Sequence, residues 1–360
     1  NEFMVFGSGR LLKDLVDHVA PWHNRRRIIF IGDQAQLPPV QDKHSPALDP
    51  GYLATTYGLT CEQGLLTEVM RQQAGSGILD LATLIREDLR TGRLNRFTPD
   101  FGAEDVIDEP FEQAAANYAA TYEAADPGRS VLLAHSNKQA LAHNLAIRSI
   151  LFPGRTAPGT DDRLLIIRNN YNHHVDLYNG QFAQVLQASD LPEQRKVRMK
   201  LKGGRTAEVD LRFRDVTIAV SGVDGRRHQL ECKVLENGLD KAEAASEGLI
   251  QQALFVDLKQ RHPSLKPKSD AFRSALMNDR YFNALQVKYG YAITVHKAQG
   301  GEWGHVHLDL RTHLPVLSQG FLKLCYTGIT RAKQRLFLIG ADIKTPISDI
   351  QYLPIKKIAR

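Results

Sequence analysis

Tyr291 to Trp303 read YAITVHKAQGGEW, and this stretch decides the fold. Tyr-Ala-Ile-Thr-Val is a short apolar run of the kind that fills a parallel sheet buried on both faces. It runs directly into His-Lys-Ala-Gln-Gly-Gly-Glu, and ligands of open α/β sheets bind just beyond the carboxyl ends of strands. Gly300 and Gly301 permit close backbone approach to a ligand. Gln299 offers an amide to a phosphate and Glu302 a carboxylate to a ribose hydroxyl. Thr294, His296 and Lys297 offer donors to a nucleic-acid backbone. A lone His-Lys pair is usually surface decoration; a strand feeding H-K-x-Q-G-x-E is far more specific.

Three further stretches share that logic. Gly32 to Val40 read GDQAQLPPV, directly after the apolar run Arg27–Ile31. By itself this is as readily a structural turn as a site, but the neutral amide of Gln36 suits a sensor of a phosphate or an attacking water. Thr67 to Gln72 read TEVMRQ, with Arg71 just past the strand expected at Leu65–Val69. A single arginine is most often solvated, yet a guanidinium is also a planar fork for a phosphate. Tyr326 to Lys333 read YTGITRAK, where a short helix would aim Arg331 at the same cleft. Arginines so placed stabilise charge in phosphoryl transfer. Nowhere in the sequence is there a G-K-[ST], the signature of a phosphate-cradling P-loop.

The rest of the chain reads as α/β. Leu11, Leu12, Leu15, Val16 and Val19 fall on one helical side, with Pro21 expected to stop that helix. A helix spans Gly77–Arg90, and strand and helix patterns alternate over Val106–Ile150, which argues for a parallel sheet covered by helices. From residue 161 to 235 the pattern changes to β-branched residues, charges and an Asn179-Gly180 hairpin signal, as in a small antiparallel barrel. Residues 246–286 return to helical spacing. Tyr289–Val295, His305–Leu310 and Arg335–Ile339 resume the parallel sheet. Asp108-Glu109 mimics a metal-binding strand end but reads as acids favouring the next helix N-terminus. His173-His174, in a polar loop, reads as solvated or as part of a barrel loop near nucleic acid, and the basic stretch Arg195–Lys202 as a solvated strand face.

In their order the four motifs resemble those of superfamily 1 helicases, specifically the RecD-like 5′-to-3′ DNA helicases of superfamily 1B. GDQAQLPPV is similar to motif III, TEVMRQ to motif IV, YAITVHKAQGGEW to motif V and YTGITRAK to motif VI. The resemblance implies RecA-like parallel-sheet domains: the rear of domain 1A over 1–94, domain 2A over 95–160 and 288–360, an SH3-like 2B insertion over 161–240 and a helical segment over 241–287. It implies ATP with Mg²⁺ between 1A and 2A in the intact enzyme, Gln36, Arg71 and Arg331 in catalysis, Gln299, Gly300 and Glu302 on the nucleotide, and Thr294, His296 and Lys297 on single-stranded DNA. In the family a P-loop and a Walker B motif precede motif III, whereas this sequence reaches GDQAQLPPV by residue 32. The expectation is therefore a portion beginning after Walker B, with no metal ligands, no tightly bound nucleotide, no ATPase activity of its own, and the N-terminal half of the motor as a partner. The rival reading is a non-catalytic DNA- or partner-binding module on a relic helicase fold.

Bulk properties agree with that class. The 360 residues carry a net charge of +6, which weakly favours a polyanionic partner. The three cysteines form no metal or disulfide pattern, which fits a reducing, cytoplasmic setting. No apolar run approaches the roughly 20 residues of a membrane span, and no secretory signal opens the sequence.

Overall fold

The computed structural model describes residues 8–24, 26–39, 42, 44–66, 75–201, 204–241 and 247–341. Helices α1 (Leu11–Val19), α2 (Pro21–Asn24), α3 (Pro50–Tyr57) and α4 (Gly77–Thr91) come first. An α/β stretch follows, with β1 (Val106–Glu109), α5 (Phe111–Thr121), β2 (Ser130–Ala134) and α6 (Asn137–Leu151). Strands β3 (Arg163–Ile166), β4 (Phe182–Ala188), β5 (Glu193–Lys200), β6 (Thr206–Ser221) and β7 (Arg227–Leu235) form the middle of the chain. After α7 (Glu247–Arg261) and α8 (Asp270–Asn278) come β8 (Leu285–Tyr289), β9 (Ala292–Thr294), β10 (Trp303–Asp309), α9 (Gln319–Ile329) and β11 (Ala332–Ile339).

The first sheet has the order β1-β11-β10-β2-β9, and every neighbouring pair is parallel. Strand β2 shows why it forms. Val131 and Leu133 join one apolar core, with α4, α9 and Ala35, while Leu132 and Ala134 join a second, with α5 and α6. Side chains alternate across a strand, so a strand covered on both faces must be apolar throughout; all five residues of β2 are buried. Each fully buried leucine contributes about 1.5–3 kcal/mol.

The second sheet is antiparallel apart from β7–β8 and runs β4-β3-β8-β7-β6-β5. The 16-residue β6 serves two partners. Its first half pairs with β5, and its second half turns back to β4. The pairing of β6 with β4 closes β4, β3, β8, β7 and β6 into a ring of paired strands. The ring takes β8 from beyond the insertion. Along β5 the exposed Lys196, Arg198 and Lys200 alternate with buried Val197 and Met199. Arg195 departs from that solvated face, since it lies over the Tyr281 ring at 3.7 Å and bonds Glu193 at 2.7 Å.

Several expectations change. The apolar run Tyr289–Val295 is two strands: Tyr289 pairs with Leu164 in the second sheet and Ala292 with Leu132 in the first. The chain crosses between the sheets at Gly290, whose N–H donates to Arg163 O at 2.8 Å. The Arg163 guanidinium, 1% exposed, fixes the same seam through the carbonyls of Ser130, Glu123 and Asp126 at 2.9–3.0 Å. Helix α1 ends before Pro21, capped by Ala20 at φ 43°, and Pro21 then opens α2. The run Arg27–Ile31 is not a strand, and Ile29 and Ile31 are 82% and 87% exposed. A buried strand needs neighbours for its backbone polar groups, and none of the described residues pairs with it. Leu65 and Leu66 are likewise exposed and unpaired in strand terms; Thr67–Gln72, including Arg71, lie outside the described residues.

Candidate nucleotide and nucleic-acid site

The GDQAQ loop is a tight turn. Asp33 Oδ1 accepts from Ala35 N–H at 3.0 Å, and Asp33 O from Gln36 N–H at 3.1 Å. This turn seats on α9. The Tyr326 hydroxyl donates to Asp33 Oδ2 at 2.7 Å, and Leu37 N–H donates to Thr327 Oγ1 at 2.8 Å. Burial first, and then the Asp33 carboxylate, push the Tyr326 phenol up to about 12, so it stays a donor. Arg86 of α4 stands 3.8 Å from Asp33. Helix α9 lies close enough to β10 that a Cβ at Gly328 would meet Leu308 at 2.7 Å.

The loop after β9 reaches the same turn. Gln299 Nε2 donates to Leu37 O at 2.8 Å. The peptide unit of Leu37 is thus held from both sides, by the loop after β9 and by α9, and Gln36 is its neighbour. Arg331 follows α9 rather than lying on it and is 2% exposed. Its guanidinium donates to Thr327 O at 3.0 Å, Gly301 O at 3.1 Å and Thr330 Oγ1 at 3.0 Å. Arg331 therefore ties the Gly300-Gly301 turn to the end of α9 from inside the protein. Glu302 accepts from Lys333 at 2.9 Å at the surface.

The three residues assigned to nucleic acid differ in access. Thr294 ends β9 and is buried, with its hydroxyl accepting from Lys297 N–H at 3.4 Å. His296 is half-buried, and burial lowers its pKa. Lys297 is exposed.

Residues 289–339 match the model of the UvrD-like helicase C-terminal domain. That match takes in β9, β10, α9 and β11, including Gln299 and Arg331. The chain is 48% identical over 58 residues to an ATP-dependent RecD2 DNA helicase of Deinococcus radiodurans, a match covering 16% of this chain and 8% of that protein. Among solved structures it is similar to a Pif1 helicase from Bacteroides in complex with ADP-AlF3 and ssDNA, at 14% identity and a TM-score of 0.41, over 92% of this chain and 68% of that one. A Candida albicans Pif1 helicase gives 14% identity and a TM-score of 0.34 over 86% and 63%.

Some features of the site escaped sequence reasoning. Tyr326 and Thr327 were legible only as part of a motif around Arg331, yet they carry the contact with the GDQAQ turn. Glu109 does not serve a helix N-terminus. It is buried, accepts from Asn117 at 2.9 Å and pairs with His307 Nδ1 at 2.8 Å. His143 and Arg311 likewise converge on buried Asp309 at 2.8 and 2.7 Å. Among the described residues no three His, Cys, Asp or Glu side chains stand together as a metal site, and no helix is long and apolar enough to cross a membrane.

Proposed function

We propose that this chain supplies the sensing and closing face of an ATP-driven motor that moves 5′-to-3′ along single-stranded DNA. One observation carries the reading: Leu37, next to Gln36, is gripped by Gln299 on one side and Thr327 on the other, with Arg331 bonded to Gly301 behind them. Three segments far apart in sequence, each resembling a different helicase motif, meet at a single peptide unit. A change at any one of them is felt by the others.

The residues fit the triphosphate in part. Gln36, Gln299 and Arg331 are neutral and cationic donors of the type that binds phosphate oxygens, and the Gly300-Gly301 turn admits close approach. They do not fit Mg²⁺, which needs hard oxygen ligands: the turn offers the single carboxylate of Asp33, and no cluster of candidate metal ligands stands together among the described residues. ATP, when bound, supplies the driving reaction. The chain's own groups orient it: Gln36 as sensor, Gln299 and Glu302 on the nucleotide, Arg331 as charge-stabilising cation and Arg71 as a second phosphate ligand. Lys297 with Thr294 and His296 grips the DNA backbone. The ring of β4, β3, β8, β7 and β6 takes the part of the SH3-like 2B domain.

Two measurements on the purified chain test this. Without a G-K-[ST] loop it hydrolyses no ATP, with or without DNA; turnover that disappears in Arg331→Ala overturns that half. It binds fluorescent single-stranded oligonucleotides at low salt, and Lys297→Ala lowers the slope of log affinity against log salt by about 0.7. Absence of binding at low salt sinks the DNA assignment.

A further inference from the structure

Strand β9 lies at the edge of the first sheet, beside β2. Leu132 N–H donates to Tyr291 O and Val295 N–H to Ala134 O, both at 3.0 Å, so those groups of the β9 run face β2. Ala292 points its N–H and C=O the other way, where no strand lies among the described residues. Buried backbone groups left without partners cost free energy. Asn144, in the middle of α6 and 4% exposed, supplies the partners. Its Nδ2 donates to Ala292 O at 2.7 Å, and its Oδ1 accepts from Ala292 N–H and Tyr291 N–H, each at 2.9 Å. One side-chain amide thus takes the place of a neighbouring strand. The nucleotide and DNA assignments do not use it.

Helix α6 is itself fixed on both sides of Asn144. Gln139 donates to Arg311 O at 2.6 Å, and His143 pairs with Asp309 at 2.8 Å, both at the end of β10. Arg148 pairs with Asp162 at 2.8 Å, and its guanidinium lies over the Tyr289 ring at 4.6 Å, both at the second sheet. Asn144 therefore ties the crossover between the sheets to a helix that is anchored to each of them. Thr294 and Lys297 follow Ala292 closely in sequence, and Asn137, Asn144, Thr294 and Lys297 line one groove.

We propose that Asn144 is a positioning residue for the grip on single-stranded DNA: by holding Ala292 against α6 it sets the place from which Thr294, His296 and Lys297 meet the phosphates. This rests on the reading of those three residues as the DNA contact, and adds the group that places them. The chemistry of the position calls for an amide. A carbonyl oxygen with two acceptor sites and an NH₂ donor stand side by side on one short side chain, which is what the N–H and C=O of Ala292 and the N–H of Tyr291 require together. Leucine fills the same space and makes none of the three bonds.

The test measures binding of a fluorescent single-stranded oligonucleotide across a salt series by the unaltered chain, Asn144→Leu, Asn144→Ala, Lys297→Ala and the double variant Asn144→Ala with Lys297→Ala. Both changes at Asn144 are uncharged, so neither alters the salt dependence directly. Urea unfolding establishes that each variant is folded under the assay conditions. Asn144→Ala leaves room for water at the stranded backbone groups and is the deciding variant where Asn144→Leu does not fold. The slope of log affinity against log salt falls by about 0.7 in the Asn144 variants, as it does in Lys297→Ala, and the double variant falls no further, because the two residues act as one unit. A group that only stabilises the fold lowers the urea midpoint and leaves the slope. An unchanged slope in folded Asn144→Ala, or a double-variant loss of about 1.4, overturns the proposal. A slope that falls with Lys297→Ala and not with Asn144→Ala removes the positioning role and leaves the DNA reading standing; no binding at low salt removes both.

Discussion

The Leu37 backbone N–H donates to the Thr327 hydroxyl at 2.8 Å, across 290 residues of sequence. The hydroxyl in turn donates to Lys323 O at 2.7 Å, so it is both acceptor and donor, and it is fully buried. Thr327→Val keeps the shape and removes both roles. The Leu37 N–H then loses its acceptor, which costs about 1–3 kcal/mol. Urea unfolding measures that loss, and Thr327→Ser recovers most of it. Unchanged stability in the valine variant would mean that the turn does not depend on this bond.

Gln299 holds the other side of the same peptide unit, at 2.8 Å from Leu37 O, but from an exposed position. Its removal exposes the carbonyl to water instead of stranding it. Gln299→Ala therefore costs less than Thr327→Val, about 0.5–1.5 kcal/mol. The two changes act on one amide, so their effects do not add; the coupling in a double-mutant cycle is about 0.5–3 kcal/mol. Strict additivity would show that the two grips are independent and would remove the structural basis for communication between the motifs.

Much of this arrangement was legible in the sequence, and the part that was not has a physical cause. The strands Ser130–Ala134 and Arg335–Ile339 were readable because burial on both faces forces continuous apolarity. The Tyr289–Val295 run carried the same signal for another reason: it belongs to two sheets in succession, and apolar content does not report a change of partner at Gly290. The runs at Arg27–Ile31 and Leu65–Leu66 have strand composition, but composition does not supply the neighbours a strand requires. At the site, the motifs around Gln299 and Arg331 marked both residues from their sequence alone, and both bond into the same loop region, Gln299 to Leu37 O and Arg331 to Gly301 O. Tyr326 and Thr327 were not marked in this way, because a buried hydroxyl reveals its partner only when the fold brings Asp33 and Leu37 to it.

Asp309 gives the fold a pH dependence with a definite sign. Burial works to raise its pKa, but hydrogen bonds from Arg311 and His143 outweigh burial and hold it at about 2, against an ordinary 3.8. A depressed carboxyl pKa means stability that is present above the unfolded value and lost as pH falls through the folded one. The contribution is about 2 kcal/mol, it is in place at neutral pH, and it disappears between about pH 4 and 2. Asp309→Asn loses that contribution at neutral pH and shows a shallower decline below pH 4, read by urea unfolding across the acid range. Parallel acid profiles for the two proteins would refute the assignment.

The two glycines after Gln299 have different reasons to be glycine, and alanine scanning separates them. Gly300 sits at φ 85° with open space where a Cβ would go. Gly300→Ala therefore carries only the left-handed backbone cost, about 1–2 kcal/mol, and Gly300→Asn, which tolerates that region, recovers part of it. Gly301 has no such φ, but a Cβ there would lie 2.4 Å from the Trp303 ring. Its carbonyl also receives Arg331 at 3.1 Å, so the strand start cannot simply retreat. Gly301→Ala is expected to cost about 1–3 kcal/mol through overpacking and to shift the emission of Trp303, which is 5% exposed. Gly300→Ala leaves that emission alone. If both variants unfold equally early and Trp303 emission is unmoved in both, the tight seat of Gly301 between Arg331 and Trp303 is refuted.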